Sequence, residues 1–301
     1  MGREYFLAGE ITVNHTLLAP GWQAHLTLGF QRRGPRTLLG QCVHQGPLQV
    51  QRPFYPEGET VCHVALLHPP GGVVGGDQLR LEARLETDAH ALITTPAAGK
   101  FYRSAGPLAR QIHQLYVAPG AVLEWLPQET IIYNAARLHA QTRIDVQGDG
   151  AFLGGEILCL GRPAAGEVFT AGECWQTLEL YRDGLPLYRE AGRYLGGDPL
   201  LSAAWGLQGQ PVIANLLVAP SPTRLAEAGP GLVEAIRAGW KHAAAPDQQE
   251  SLAVTALDGV LICRYLGPST GRAKRCLTLA WSLLRPGLFN RPACPSRFWN
   301  T

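Results

Sequence analysis

Between residue 22 and about residue 190 the chain alternates apolar and polar residues in short runs. Ala24, Leu26 and Leu28 take every second position, and Leu79, Leu81 and Ala83 alternate with Arg80, Glu82 and Arg84. A period of two puts each apolar set on one face of a half-buried strand. The runs HALITTP (90–96), AVLEWL (121–126), ETIIY (129–133) and ARLHAQTRIDV (136–146) add β-branched and aromatic residues, which suit a pleated surface. Turn residues separate the later runs at Gln147 to Gly150 and at Asp183-Gly184, the second being the strongest hairpin signal in the chain. Many strands at near-even spacing, without a repeated sequence period, fit a sandwich, a barrel or a strand-wound solenoid.

Two later segments change period. Residues 231–244 place Leu232, Ile236 and Trp240 four apart, with Lys241 and His242 in the last turn and Pro246 as the stop. Residues 271–285 stack Ala273, Leu277, Ala280, Trp281 and Leu284, with Thr270 as N-cap and Pro286 ending the run. Both are predicted to be amphipathic helices, and each stripe taken alone fits the protein's own core. The excess of large apolar residues here and in the Pro-rich tail also makes Leu232, Ile236, Trp240, Trp281 and Trp299 candidates for a partner surface. No segment has linker composition, so a single domain over 1–301 is expected.

Composition narrows the function. With 301 residues, 46% of them hydrophobic, the chain can bury roughly three quarters of its unfolded surface. The 35 glycines and 23 prolines favour short elements and tight turns. A net charge of +2 with mixed signs gives no face for nucleic acid or an anionic membrane. The N-terminus carries Glu4 and Glu10 and lacks a secretory pattern, and no apolar run is long enough for a membrane span, so a cytoplasmic location is expected. Seven cysteines without a CxxC pair fit neither a disulfide framework nor a structural zinc site.

The densest signal is HPPGGVVGGD (68–77), where Gly71, Gly72, Gly75 and Gly76 permit unusual backbone angles or close approach and Asp77 ends the turn. It lacks the Lys of a phosphate-binding loop and runs into a strand, so it reads as a rigid turn. TTPAAGKFYRS (94–104) offers Lys100 as a possible Schiff-base or general-base lysine, but no partner base accompanies it. Glu124 and Glu129 in LEWLPQETIIY, and Glu156 in GGEILCLGR, are carboxylates in apolar surroundings, which calls for pairing, metal or function. No GxSxG or HExxH motif is present. Cys62, His63 and His68 form a local group of soft ligands, but within a strand Cys62 and His63 point to opposite faces, giving core and surface roles.

In chain order, GPLQVQRPFYPEG (46–58), HPPGGVVGGD (68–77), TTPAAGKFYRS (94–104), GAVLEWLPQETI (120–131), GEILCLGRPAAGE (155–167) and LLRPGLFNRPACPSRFW (283–299) resemble the UreD (UreH) family of urease accessory proteins. Gly99 stands where relatives commonly carry a polar residue, and Pro-Ser-Arg-Phe-Trp interrupts a more usual Pro-Arg-x-Trp. The resemblance implies a mainly β protein with strands wound in an elongated, β-helix-like layering and a few flanking α-helices near the C-terminus. It implies a non-enzymatic scaffold that joins UreF and the GTP-binding UreG on apo-urease, with no stably bound cofactor and with nickel in transit through an internal polar passage. On the matching motifs the passage candidates are Asp77, Thr94, Thr95, Glu124, Glu129 and Glu156. Ion pairs with Arg103, Arg137 or Arg162 are the rival explanation for the acids. Two other functions compete: a metal-dependent hydrolase using Asp77 and the glutamates, and a nickel chaperone with a stable site.

Overall fold

The structure, a computed structural model, describes residues 21–243 and 250–300. The segment before Gly21, including Glu4 and Glu10, and the expected stop at Pro246 lie outside the described residues. The alternating runs become β1 (Gln23–Arg33), β2 (Arg36–Gln45), β3 (Gln49–Val50), β4 (Val61–Leu67), β5 (Gln78–Leu85), β6 (His90–Thr94), β7 (Gly99–Phe101), β8 (Ala109–Val117), β9 (Val122–Leu126), β10 (Thr130–Ile132), β11 (Arg137–Val146), β12 (Ala151–Leu160), β13 (Glu173–Arg182) and β14 (Leu185–Leu195). Then follow β15 (Val212–Ala219), α1 (Pro222–Ala243), β16 (Ser251–Leu257), β17 (Val260–Gly267) and α2 (Thr270–Phe289).

The chain winds as a solenoid. From β4 to β13 it passes back and forth between two sheets, and β7 and β10 form a narrow third ribbon. The first sheet runs β14-β13-β11-β8-β5-β1-β2, with β1, β5, β8, β11 and β13 parallel and antiparallel strands at both edges. The second contains parallel β4, β6, β9 and β12, extended by antiparallel β15, β17 and β16. Across the first sheet Leu79, Gln111, Ala140 and Gln176 share one register row, so successive coils bring together residues about 30 apart in sequence. The two-residue turn at Asp183 and Gly184 has φ of 51° and 78°, the mirror-image turn whose twist matches a β-hairpin.

Two cores result. One lies between the sheets and includes Phe30, Leu81, Leu115, Leu123 and Phe152. The other lies between the second sheet and the helices and includes Leu92, Leu153, Leu216, Tyr265 and Trp281. The second sheet is therefore covered on both faces along its parallel strands.

The helices differ from expectation at their ends. α1 begins at Pro222, upstream of residue 231, and carries Pro230 between two glycines inside it. α2 is capped by Ser269, whose hydroxyl accepts from the Arg272 amide, and not by Thr270. Pro286 lies inside α2, which stops at Asn290 in the left-handed conformation. Packing outweighs the local penalty of these prolines: the Leu232 side chain lies against Gly287, and Leu279 and Leu283 lie against Gly239. Among the described residues no helix is long and apolar enough to cross a membrane.

Candidate functional site

The HPPGGVVGGD segment is built as a rigid turn. Gly71 donates to the His68 carbonyl with φ of 77°, and Val73 is held between Lys100 and Tyr102 by backbone hydrogen bonds of 2.8 and 2.9 Å. Asp77 accepts from the Val74 amide at 2.9 Å and from the Trp22 amide at 2.8 Å, so its buried carboxylate ties the turn to β1. Gly75 has no Cβ because Ser104 Oγ and the Pro107 carbonyl occupy its place, at 2.2 and 2.6 Å from where one would stand. Gly72 is likewise covered by the Tyr102 ring, while Gly76 needs its φ of 97°.

This turn and the 95–100 segment frame a cavity of about 480 Å³ between the sheets. Leu66, Val73, Leu79, Leu81, Phe101, Trp125 and Leu138 form its apolar wall. The polar groups come from inward positions of the coils. His113 Nδ1 lies 3.1 Å from Thr142 Oγ1, Thr142 donates to Glu156 Oε1 at 3.0 Å, and Gln176 donates to Glu156 Oε2. Burial pushes the Glu156 carboxyl up, partly offset by the hydrogen bonds from Thr142 and Gln176. Burial pushes His113 down to about 4, so its ring is neutral near neutral pH. The Cys174 thiol, also on the wall, is pushed up to about 12, mainly by burial, and stays protonated. Thr95 also lines the cavity, and its hydroxyl donates to the Ala97 carbonyl and accepts from the Gln128 amide.

Of the six passage candidates, the cavity receives Thr95 and Glu156. Asp77 is committed to its turn. Glu124 and Thr94 point the other way, toward the helical layer, because Leu123, Trp125 and Ile93 take the inward positions of their strands. Thr94 donates to the Leu126 carbonyl and accepts from Trp299 Nε1 at 2.9 Å. Glu129 is half-buried and its charge acts on Lys274 and Cys159; it does not line the cavity.

Glu124 is completely buried at the centre of an ionic group. It accepts from Trp281 Nε1 at 2.7 Å and from Arg285 Nε at 3.1 Å, and its Oε1 lies 2.7 Å from His90 Nε2. Arg285, also without exposed surface, forks onto both oxygens of Glu57 at 2.7 Å, and Glu57 lies 2.7 Å from His63. Burial works to raise both carboxyls, but His63 and Arg285 hold Glu57 at about 2, and His90, Arg285 and Trp281 hold Glu124 below the usual range. The partner of Glu124 is thus Arg285; Arg137 and Arg162 pair instead with Glu173 and Glu167. His63 is fully buried, which overturns its expected surface role. Among the described residues no three His, Cys, Asp or Glu side chains form a group able to hold a metal.

The expected partner surface is also revised. Ile236 and Trp281 are buried in the helical core and present nothing to a partner, whereas Leu232, Trp240 and Trp299 are half-buried. Trp299 packs edge-on against Trp281, with centroids 5.2 Å apart.

Gln111, His113, Thr142 and Gln176 were missed in the sequence. The signal exists: in ARQIHQLYV the two polar residues share a face with the buried Ala109, Leu115 and Val117. Polar residues on an otherwise apolar face mark an internal polar lining.

Known proteins match the chain over nearly its whole length. A family profile described as UreD urease accessory protein matches residues 23–300. A urease accessory protein UreD from Azoarcus sp. (strain BH72) is 46% identical over 282 residues, covering 94% of this chain and 95% of that protein. The UreD of Dechloromonas aromatica (strain RCB) is 45% identical over 296 residues, covering 98% of this chain and all of that protein. That of Citrobacter koseri is 42% identical over 290 residues, covering 96% and 95%. With coverage this complete at both levels, the chain belongs to the UreD family of urease accessory proteins.

Proposed function

We propose that this protein is a non-enzymatic scaffold of urease maturation in the cytoplasm, acting with UreF and UreG on apo-urease and passing nickel through the cavity between its sheets. The observation that carries the reading is convergence. HPPGG, TTPAAGK, LPQET and GGEIL, far apart in sequence, surround one cavity, and Glu156 stands at its polar end. The donors there suit a transient cation. Ni²⁺ is held tightly by sets of imidazoles and thiolates, whereas carboxylate, hydroxyl and amide oxygens among water release it. The cavity offers Glu156, Thr95, Thr142, Gln111 and Gln176, with His68 and His113 on different segments and a protonated Cys174.

The test is metal per urease active site after co-expression. Glu156→Gln combined with Thr95→Ala and Thr142→Val should lower nickel loading while this chain still assembles with its partners. Full loading in a correctly assembled complex removes the cavity from the nickel route.

A further inference from the structure

The helices pack on the second sheet, so the outer face of the first sheet is left uncovered by the described residues although five of its strands run parallel. Parallel strands are usually covered on both sides. The period of two decides what this face carries. With Leu79, Leu81, Leu115, Leu138 and Leu180 turned inward, Arg80, Arg110, Arg143 and Trp175 turn outward. From β5 to β14 the carboxylates of the face are Glu82, Asp145, Glu173 and Glu179. Each already holds an arginine of the same face. Glu82 pairs with Arg84 and Asp145 with Arg143, while Glu173 pairs with Arg137 and Glu179 with Arg189. Arg80, Arg110 and Arg193 are left over, and among the described residues none of them has a carboxylate within ion-pair distance. The net charge of +2 for the whole chain thus conceals a cationic face.

We infer that this face docks a protein partner whose surface is net acidic, with Arg80, Arg110 and Arg193 receiving its carboxylates. The arginines are held ready by rings. Arg84 lies 3.9 Å from the centre of the Tyr116 ring, Arg143 4.2 Å from that of Tyr181 and Arg193 4.6 Å from that of Trp175. A guanidinium stacked on a ring keeps its N–H edges free for carboxylates and has less freedom to lose on docking. Arg110, His139, Trp175 and Arg193 stand side by side on neighbouring strands, and Arg, Tyr and Trp are the residues in which binding energy concentrates. The area also suffices. Five strands about 4.8 Å apart, each with about eight residues rising about 3.3 Å, present about 600 Å². One partner of a standard interface contributes about 800 Å². The paired carboxylates favour protein over nucleic acid, because a duplex brings phosphate at every step and meets them as like charge. A protein surface can instead set a lysine or arginine against Glu82 or Glu179. The face lies on the far side of the sheet from the cavity, so the inference stands apart from the nickel passage.

The experiment titrates the full-length chain against a fluorescein-labelled peptide of Glu-Glu-Lys repeats and reads binding by fluorescence anisotropy. The parent should bind, more weakly as NaCl rises from about 50 to about 200 mM. Combining Arg80→Gln, Arg110→Gln and Arg193→Gln should weaken binding about tenfold, the size that three exposed charge pairs support. A control with the same change in charge, Arg224→Gln, Arg237→Gln and Arg275→Gln on α1 and α2, should shift it less than about twofold. Urea midpoints of both variants should match the parent's. If the triple variant proves unstable, Arg110→Gln alone should still weaken binding about twofold. Equal weakening by the two sets would mean that net charge alone is read, and it overturns the face; so does failure of the parent to bind at about 50 mM NaCl. A DNA duplex that binds more tightly than the peptide, and loses binding in the face variant, overturns the assignment to a protein partner.

Discussion

Replacing Arg285 by Met should cost about 3–5 kcal/mol of folding stability at pH 7, the range for breaking a buried pair by removing one partner. The geometry supports the upper half of that range. Arg285 has no exposed side-chain surface and serves two carboxylates, Glu124 without exposure and Glu57 at 11%. Methionine fills the volume but leaves Glu57 with His63 alone and Glu124 with His90 and Trp281, so burial, no longer opposed by the guanidinium, moves both carboxyls up from where the parent holds them. The pH dependence carries the sign. In the parent these carboxyls are depressed, so their contribution is full above the ordinary glutamate value of 4.5 and is lost as pH falls toward the value of about 2 held by Glu57. In the variant the acids are less depressed, so they lose less on protonation and the deficit relative to the parent should shrink as pH drops below 4.5. Urea denaturation at pH 7 and at pH 4, followed by tryptophan fluorescence, measures both effects. Adding Glu57→Gln and Glu124→Gln to Arg285→Met should recover part of the loss at pH 7. A deficit below about 1 kcal/mol at pH 7, or one that grows in acid, would refute the reasoning.

Three further outcomes are expected. Gly75→Val should destabilise by about 2–4 kcal/mol, because its Cβ would collide with Ser104 and the Pro107 carbonyl, whereas Gly71→Ala, with open space around it and only its φ of 77° to resist, should cost about 1 kcal/mol; urea midpoints compare them. Glu156→Gln should gain stability relative to the parent as pH rises above 4.5, since a carboxyl raised by burial weakens the fold as it ionises; an identical pH profile for the two proteins would contradict this. Trp299→Ala should cost about 2 kcal/mol through its lost edge-on contact with Trp281 and its hydrogen bond to Thr94, read in the same denaturation assay.

Strands were legible where one face meets solvent or a cavity. In β1 and β5 the period of two survives because Arg80, Gln78 and their neighbours point outward, and the burial pattern alternates accordingly. It fails where both faces are covered. VCHVALL and HALIT are buried at almost every position, so alternation could not say which side His63 or Thr94 faces, and in AVLEWL it could not assign Glu124 to the helical layer. The winding of the coils was illegible for a different reason: parallel partners about 30 residues apart leave no local signature, unlike the Asp183-Gly184 turn. The helix ends were misplaced because Pro230 and Pro286 are tolerated through packing that only the folded helix pair creates. The cavity could be half anticipated. Thr95 and Glu156 are candidates through the family resemblance, but the rest of the lining follows from which coil stacks on which.

The Arg285 fork also sets a timetable for folding. It joins α2 to Glu57, 228 residues earlier in the chain, and to Glu124, 161 residues earlier. At ribosomal speeds of about 5–20 residues per second, Glu57 waits roughly 10–45 seconds for its guanidinium. Throughout that interval the coils already made stand with two acids that lack their guanidinium and with the apolar outer face of β6, β9 and β12 uncovered. Local contacts cannot shorten the wait, because the cover is encoded last. The nascent chain thus spends most of its synthesis as a half-clad sheet, and its vulnerability to aggregation is fixed by the order of its elements more than by the stability of the finished fold.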